Sequence, residues 1–288
     1  MFQRQRTGSV LCPSCGQLVG VNDDRCLNCG RLRPGMWGLT SLLRRLGPDL
    51  GFVPIVMWTC GLLYLCTLAV DFQGVRSAGL ALLEPSGPAL FLFGAAGAVP
   101  VYGAGRWWTV LSAAWLHGGV LHILFNMMAL RSIAPAVVHL YGGARAILIY
   151  TVGAIVGFLA SSTAGFVLSG FPFVPDALRG GAILTIGASA PIVGLVGALI
   201  YYGRRTGSSL ISSQAKSIVV MLVILGFVFP GIDNWAHLGG LGGGYLAARF
   251  LDPLRPERTD HVIAALACLL LSAASVVASV ITGLPYFR

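Results

Sequence analysis

The feature that most constrains this 288-residue chain is a succession of stretches without a single charged side chain. They cover residues 52–70, 107–130, 146–175, 180–203, 217–232, 234–248 and 262–287, and most approach the roughly 20 residues a helix needs to cross hydrocarbon. Hydrophobic residues make up 56 % of the chain and charged residues 10 %, with a mean hydropathy of +0.81. That balance excludes an ordinary soluble domain of this length. The pattern predicts an all-α polytopic membrane protein with seven spanning helices. The runs 217–232 and 234–248 are short, and Arg249, Phe250 and Leu251 extend the second by snorkelling. One more charge-free stretch, 85–105, holds Pro85, Pro88, Pro100 and five glycines. It reads as an interfacial loop, because irregular backbone reaches membrane depth only where protein or water satisfies its polar groups.

Basic residues set the orientation, since cytoplasmic flanks keep an excess of Lys and Arg. With the N-terminus inside, the inner segments hold Arg4, Arg6, Arg25, Arg31, Arg33, Arg44, Arg45, Arg131, Arg145, Arg204, Arg205, Lys216, Arg249, Arg255 and Arg258, leaving four of the 19 basic residues outside. The expected location is a cell or inner membrane, N-terminus cytoplasmic. The net charge of +9 then reflects topology and anionic lipid. No basic cluster is interleaved with base-stacking aromatics, so nucleic acid is not an expected partner. The first 30 residues are polar and cysteine-bearing, which predicts no cleavable signal peptide; the first helix would direct insertion itself.

Four of the seven cysteines form Cys12-Pro13-Ser14-Cys15-Gly16 and Cys26-Leu27-Asn28-Cys29-Gly30, two CxxC knuckles ten residues apart. This is the spacing of a tetrahedral four-cysteine zinc site. Gly16 and Gly30 permit the tight turns that make two thiolates converge. A disulfide pair is disfavoured by the expected reducing location, and a redox CxxC by the presence of two copies. Four thiolate ligands imply a closed, structural Zn2+ site in a small ribbon over about residues 9–33, placed to meet a cytoplasmic partner. Cys60, Cys66 and Cys268 lie in apolar runs as core residues. Residues 39–46 would form a short basic helix on the inner leaflet.

Strongly polar groups in spanning segments are costly, so each is a functional candidate. They are His117, His122 and Asn126 in the second run, Ser189 in the fourth, and Asn234 and His237 in the sixth. His122 and Asn126, four apart, share a helix face and can both donate in one direction. His117 lies roughly 140° from His122 on an ideal helix and is expected to point elsewhere, toward the outer loop. Ser189 lies in Gly187-Ala188-Ser189-Ala190-Pro191, with Pro191 suited to a first helical position, so the serine would sit at a helix N-terminus with its free N–H groups. Ala190, Gly194 and Ala198 form a small-residue stripe; His237, Gly240 and Gly244 form the matching one. The central expectation is that these stripes meet and bring imidazole to hydroxyl. Singly, an intramembrane serine usually bonds its own helix and a glycine stripe usually only packs; together they supply nucleophile, base and oxyanion donors.

Over about residues 52–251 these motifs resemble the rhomboid intramembrane proteases: His117-Gly118-Gly119-Val120-Leu121-His122 continuing to Asn126, Gly187-Ala188-Ser189, and Ala236-His237-Leu238-Gly239-Gly240 with Gly244. The resemblance implies a six-helix core in which Ser189 attacks a peptide carbonyl of a transmembrane substrate, and His237 is base and then acid. It also implies an oxyanion hole of His122, Asn126 and the Ser189 N–H, with no catalytic cofactor and no carboxylate third member. The helix after His261 resembles the six-plus-one variant. The expected domains are a zinc ribbon over 1–35, a basic linker over 36–51, the core over 52–251 and an additional helix over 252–288. Two positions depart from the family pattern: Ala190 follows the serine where glycine is usual, and Val193 stands where an aromatic often stacks on the histidine. Ala190 is the feature favouring the alternative of a non-cleaving rhomboid-like protein that binds transmembrane clients. A transporter is disfavoured by the lack of internal repeats and buried acids.

Overall fold

A computed structural model describes residues 5–13, 15–38, 47, 49–78, 81–168, 170–171, 173, 181, 183–229 and 231–287. The expected basic helix at 39–46 lies outside the described residues. The order is a hairpin of β1 (Ser9–Leu11) and β2 (Leu18–Gly20), helix α1 (Phe52–Val70), a second hairpin of β3 (Arg76–Ala78) and β4 (Ala81–Glu84), and short helices α2 (Gly87–Phe93) and α3 (Thr109–Ser112). Then come α4 (Val120–Tyr141), α5 (Gly143–Leu168), α6 (Ser189–Thr206), α7 (Ser209–Val228), α8 (Asn234–Phe250) and α9 (Thr259–Gly283). Among the described residues five helices, α1, α4, α5, α7 and α9, are long and apolar enough to cross a membrane. The other two long helices, α6 and α8, carry Ser189 and His237. The protein is a helical membrane bundle preceded by a four-cysteine module.

Helix α8 packs on α5 and α6, and α6 also packs on α5 and α7, so α5, α6 and α8 form the middle of the bundle. Glycine makes this possible: a Cβ on Gly244 would collide with the Gly194 carbonyl, and one on Gly240 with the Ala190 carbonyl. Close backbone approach by small residues is the usual basis of helix association in lipid. Exposed apolar side chains such as Leu62, Leu65, Ile224, Phe227 and Leu270 instead cover the outer faces of α1, α7 and α9, as contact with lipid requires.

Several helix bounds differ from the charge-free runs, α6 starting at Ser189 rather than 180 and α7 at Ser209 rather than 217. The run 107–130 is not one helix: α4 begins at Val120, after Gly119 at φ +150°, and continues through exposed Arg131 to Tyr141. The preceding residues form α3 and a 3-10 turn at Ala113–Trp115. Charge counting does not register a backbone break at Gly118-Gly119. The stretch 85–105, expected as an interfacial loop, holds the short helix α2 and a π-turn at Val99–Gly103.

At the bundle end away from Ser189, Arg145 is 4 % exposed and donates to the carbonyls of Leu251 (3.0 Å), Asp252 (2.7 Å), Arg255 (2.9 Å) and Tyr141. One guanidinium thus satisfies carbonyls at the end of α4 and beyond the end of α8. The cysteine module sits at this same end, where Thr259 Oγ1 of α9 donates to the Leu32 carbonyl at 3.2 Å.

Candidate active site and metal centre

Ser189 is the first residue of α6, after Gly187 at φ +124°. Pro191 is therefore the third helical residue, not the first as expected. Because Pro191 lacks an N–H, this helix end presents the N–H groups of Ser189 and Ala190. His237 lies one turn inside α8, whose first turn is capped by Asp233 Oδ1 accepting from the Ala236 N–H at 2.9 Å. The apposed stripes leave His237 Nε2 2.9 Å from Ser189 Oγ, both residues half-buried. The hydroxyl donates to Nε2 when the imidazole proton is on Nδ1, and Nδ1 has no hydrogen-bond partner among the described residues.

The Ala190 methyl has a definite home. It faces Gly157 of α5, where an added Cβ would lie 3.0 Å from it. The missing side chain on α5 makes room for the extra carbon on α6, and the serine–histidine contact keeps hydrogen-bond length. Val193 is buried.

His122 Nδ1 accepts from the Gly118 N–H at 3.2 Å, which leaves the ring proton on Nε2. That nitrogen points at the face of Gly187: a Cβ there would lie 2.7 Å from His122 Nε2 and 3.7 Å from Ser189 Oγ. Glycine keeps this space clear between a ring donor and the hydroxyl. Asn126 departs from the expectation of parallel donation, since its Nδ2 donates to the His122 carbonyl at 2.9 Å. One of its two N–H donors is committed within the helix; the other is left. His117 also departs. It precedes α4, so helical angles do not apply to it; it is fully buried, its ring centroid 5.1 Å from that of His122, edge-on.

Sequence reasoning overlooked three residues behind this site. Asp233, Ser161 and Thr185 converge: Asp233 Oδ2 accepts from Thr185 Oγ1 at 2.6 Å and from Ser161 Oγ. Ordinary hydroxyls in apolar runs gave no signal, although Asp233 before an apolar helix is a recognisable N-cap.

In the cysteine module both knuckles repeat one backbone pattern. Gly16 N–H donates to Cys12 O and Gly30 N–H to Cys26 O, each at 2.9 Å, with both glycines at positive φ. The four Sγ atoms lie within 4.8 Å of one another, with Cys12–Cys29 at 3.7 Å and Cys15–Cys26 at 3.6 Å. These separations are far beyond a disulfide bond and match the roughly 3.8 Å between tetrahedral thiolates around one ion. The Gln17 N–H, then the Asn28 side chain, lower the Cys15 thiol to about 6. Burial, with the neighbouring thiols, pushes Cys29 up to about 12. Crowded thiols of this kind can hold a metal ion, which would replace their protons.

Fold and site define a helical membrane protein with a serine–histidine pair between closely packed helices. Residues 104–253, just over half the chain, match the Rhomboid domain family; the chain belongs to the rhomboid family. It is 37 % identical over 150 residues to rhomboid protease GluP of Bacillus subtilis, covering 51 % of this chain and 26 % of that protein. To RHOMBOID-like protein 4 of Arabidopsis thaliana it is 32 % identical over 191 residues, 65 % of this chain and 44 % of the relative. RHOMBOID-like protein 7 of the same plant is 32 % identical over 181 residues, covering 61 % and 52 %. The chain thus spans between a quarter and about half the length of these relatives.

Proposed function

We propose that this chain is an intramembrane serine protease that cleaves transmembrane segments through a Ser189–His237 dyad. The observation that carries the reading is the 2.9 Å contact between Ser189 Oγ and His237 Nε2 at the start of a helix. That is the distance a general base needs to take a hydroxyl proton. Ser189 Oγ attacks the substrate carbonyl as its proton passes to His237 Nε2. The tetrahedral oxyanion receives the N–H of Ser189, Nε2–H of His122 and the uncommitted Nδ2–H of Asn126. His237 then protonates the leaving amine as the C–N bond breaks, and water hydrolyses the acyl-enzyme by the reverse proton path. Substrates with helix-breaking residues are preferred, because cleavage needs extended backbone and water. The non-cleaving alternative loses its main support, since the Ala190 methyl fits against Gly157.

The reading includes seven spans, with α6 and α8 crossing inside the bundle, and a cytoplasmic N-terminus. It keeps the sequence-derived divisions at 1–35, 36–51, 52–251 and 252–288. Zn2+ is the assigned metal of Cys12, Cys15, Cys26 and Cys29, because four thiolates in tetrahedral spacing suit it and leave no open position for catalysis. The ribbon then faces the cytoplasm, where it can meet a protein partner. The test is purified protein in proteoliposomes with a defined transmembrane substrate. Cleavage by wild type that disappears in Ser189→Ala is expected; equal background from both would end the protease reading.

A further inference from the structure

The Asp233 carboxylate does more than an N-cap requires. Capping α8 uses only Oδ1, which accepts from the Ala236 N–H, and a serine or threonine could do as much. The second oxygen, Oδ2, accepts two hydroxyls at once, Thr185 Oγ1 at 2.6 Å and Ser161 Oγ. An asparagine that kept the Ala236 cap would put its –NH2 where Oδ2 stands, so both hydroxyls would lose their acceptor and have to turn their protons elsewhere. Ser161 and Thr185 are themselves buried. Ser161 Oγ also accepts from the Gly181 N–H at 2.8 Å. Thr185 is bridged to Ala96 by two backbone bonds of 2.8 and 3.1 Å, and the Gly181 carbonyl accepts from the Ala98 N–H at 2.8 Å. One carboxylate therefore joins α8, α5 and the segment entering α6, and that segment is itself bonded to the loop around 96–98.

Its position relative to the reactive pair is specific. Thr185 is four residues before Ser189 and Asp233 four before His237. The Thr185–Asp233 bond and the Ser189–His237 contact are successive rungs between the same two stretches of chain. Holding the first rung at hydrogen-bond length restricts how far the second can open.

We propose that Asp233 is a positioning residue that sets the Ser189–His237 separation by locking the first turn of α8 to the Thr185 segment and to Ser161. This rests on the protease reading. Acting through the backbone on both partners, the lock governs the alignment of the attacking oxygen and its base, on which rate depends steeply. Substrate affinity does not pass through it.

The experiment compares full-length wild type, Asp233→Asn, Thr185→Val, Thr185→Ser and Ser161→Ala. It measures kcat and KM on a defined transmembrane substrate, the rate of labelling by a fluorophosphonate, thermal stability, and amide exchange over 183–189. Asp233→Asn keeps the Ala236 cap and should lower kcat and the labelling rate on the order of 10²-fold, with KM nearly unchanged. Thr185→Val should fall in the same direction, while Thr185→Ser, which keeps the hydroxyl, should stay near wild type. Equal kcat in wild type and Asp233→Asn, or equal losses in Thr185→Val and Thr185→Ser, would overturn the proposal. Should Asp233→Asn not fold, Thr185→Val and Ser161→Ala decide on the same readouts. If wild type neither cleaves nor labels, the protease reading has failed, and exchange over 183–189 still decides: faster exchange in Asp233→Asn, or in Thr185→Val where that variant does not fold, supports the lock, unchanged exchange removes it.

Discussion

In the cysteine module the ligand atoms come from a span of 17 positions, Cys12 to Cys29, and each knuckle is closed by its own backbone bond to a glycine N–H. Ser189 and His237 are 48 positions apart on separate helices and meet only because glycine backbones touch. The first centre is shaped by local turns, and a metal would supply its remaining cohesion. The second inherits its geometry from helix packing in which single methyl groups matter. The two regions should accordingly respond to different perturbations.

The sharpest separation is Ser189→Ala: on the proposed mechanism, cleavage of a transmembrane substrate should drop on the order of 10⁴-fold or more with the fold retained, since only the proposed nucleophile is lost. Next, His122→Ala should lower kcat about 10²- to 10³-fold by removing an oxyanion donor. Asn126→Ala should cost less, because one Asn126 N–H is occupied by the His122 carbonyl; kinetics showing the opposite order would reassign the donors. Smaller again, Gly244→Ala should destabilise by about 1–3 kcal/mol through overpacking against Gly194. Gly242→Ala, where an added Cβ meets nothing within 4 Å, should leave thermal stability unchanged or raise it. Matching losses at both would mean that the seam is not the packing-limited contact. Least of all, chelation or Cys26→Ser should remove amide protection from β1 and β2 while changing the Ser189 labelling rate by less than about twofold, as expected for distant sites. A tenfold fall in labelling would show that the two regions are coupled through Thr259 and Leu32.

The four-cysteine cluster was readable from spacing because its geometry is local, and Ser189 and His237 stood out because polar groups are rare in apolar runs. His117 was misread because helical angles were applied where the chain is not yet helical; for Asn126 the spacing did not reveal that one of its N–H groups bonds the His122 carbonyl in its own helix. Gly157 looked like any glycine of an apolar run until Ala190 was placed against it. Asp233 looked like a cap until Ser161 and Thr185 arrived from elsewhere in the chain.

By itself the sequence determined the membrane class, the cysteine knuckles, the small-residue stripes and the reactive groups available, all consequences of composition and short-range spacing. Only the tertiary structure decided which nitrogen faces Ser189, where the Ala190 methyl goes, and that one carboxylate ties three segments behind the Ser189–His237 contact. Those outcomes depend on the relative height and rotation of packed helices, which are set by contacts between residues far apart in the chain.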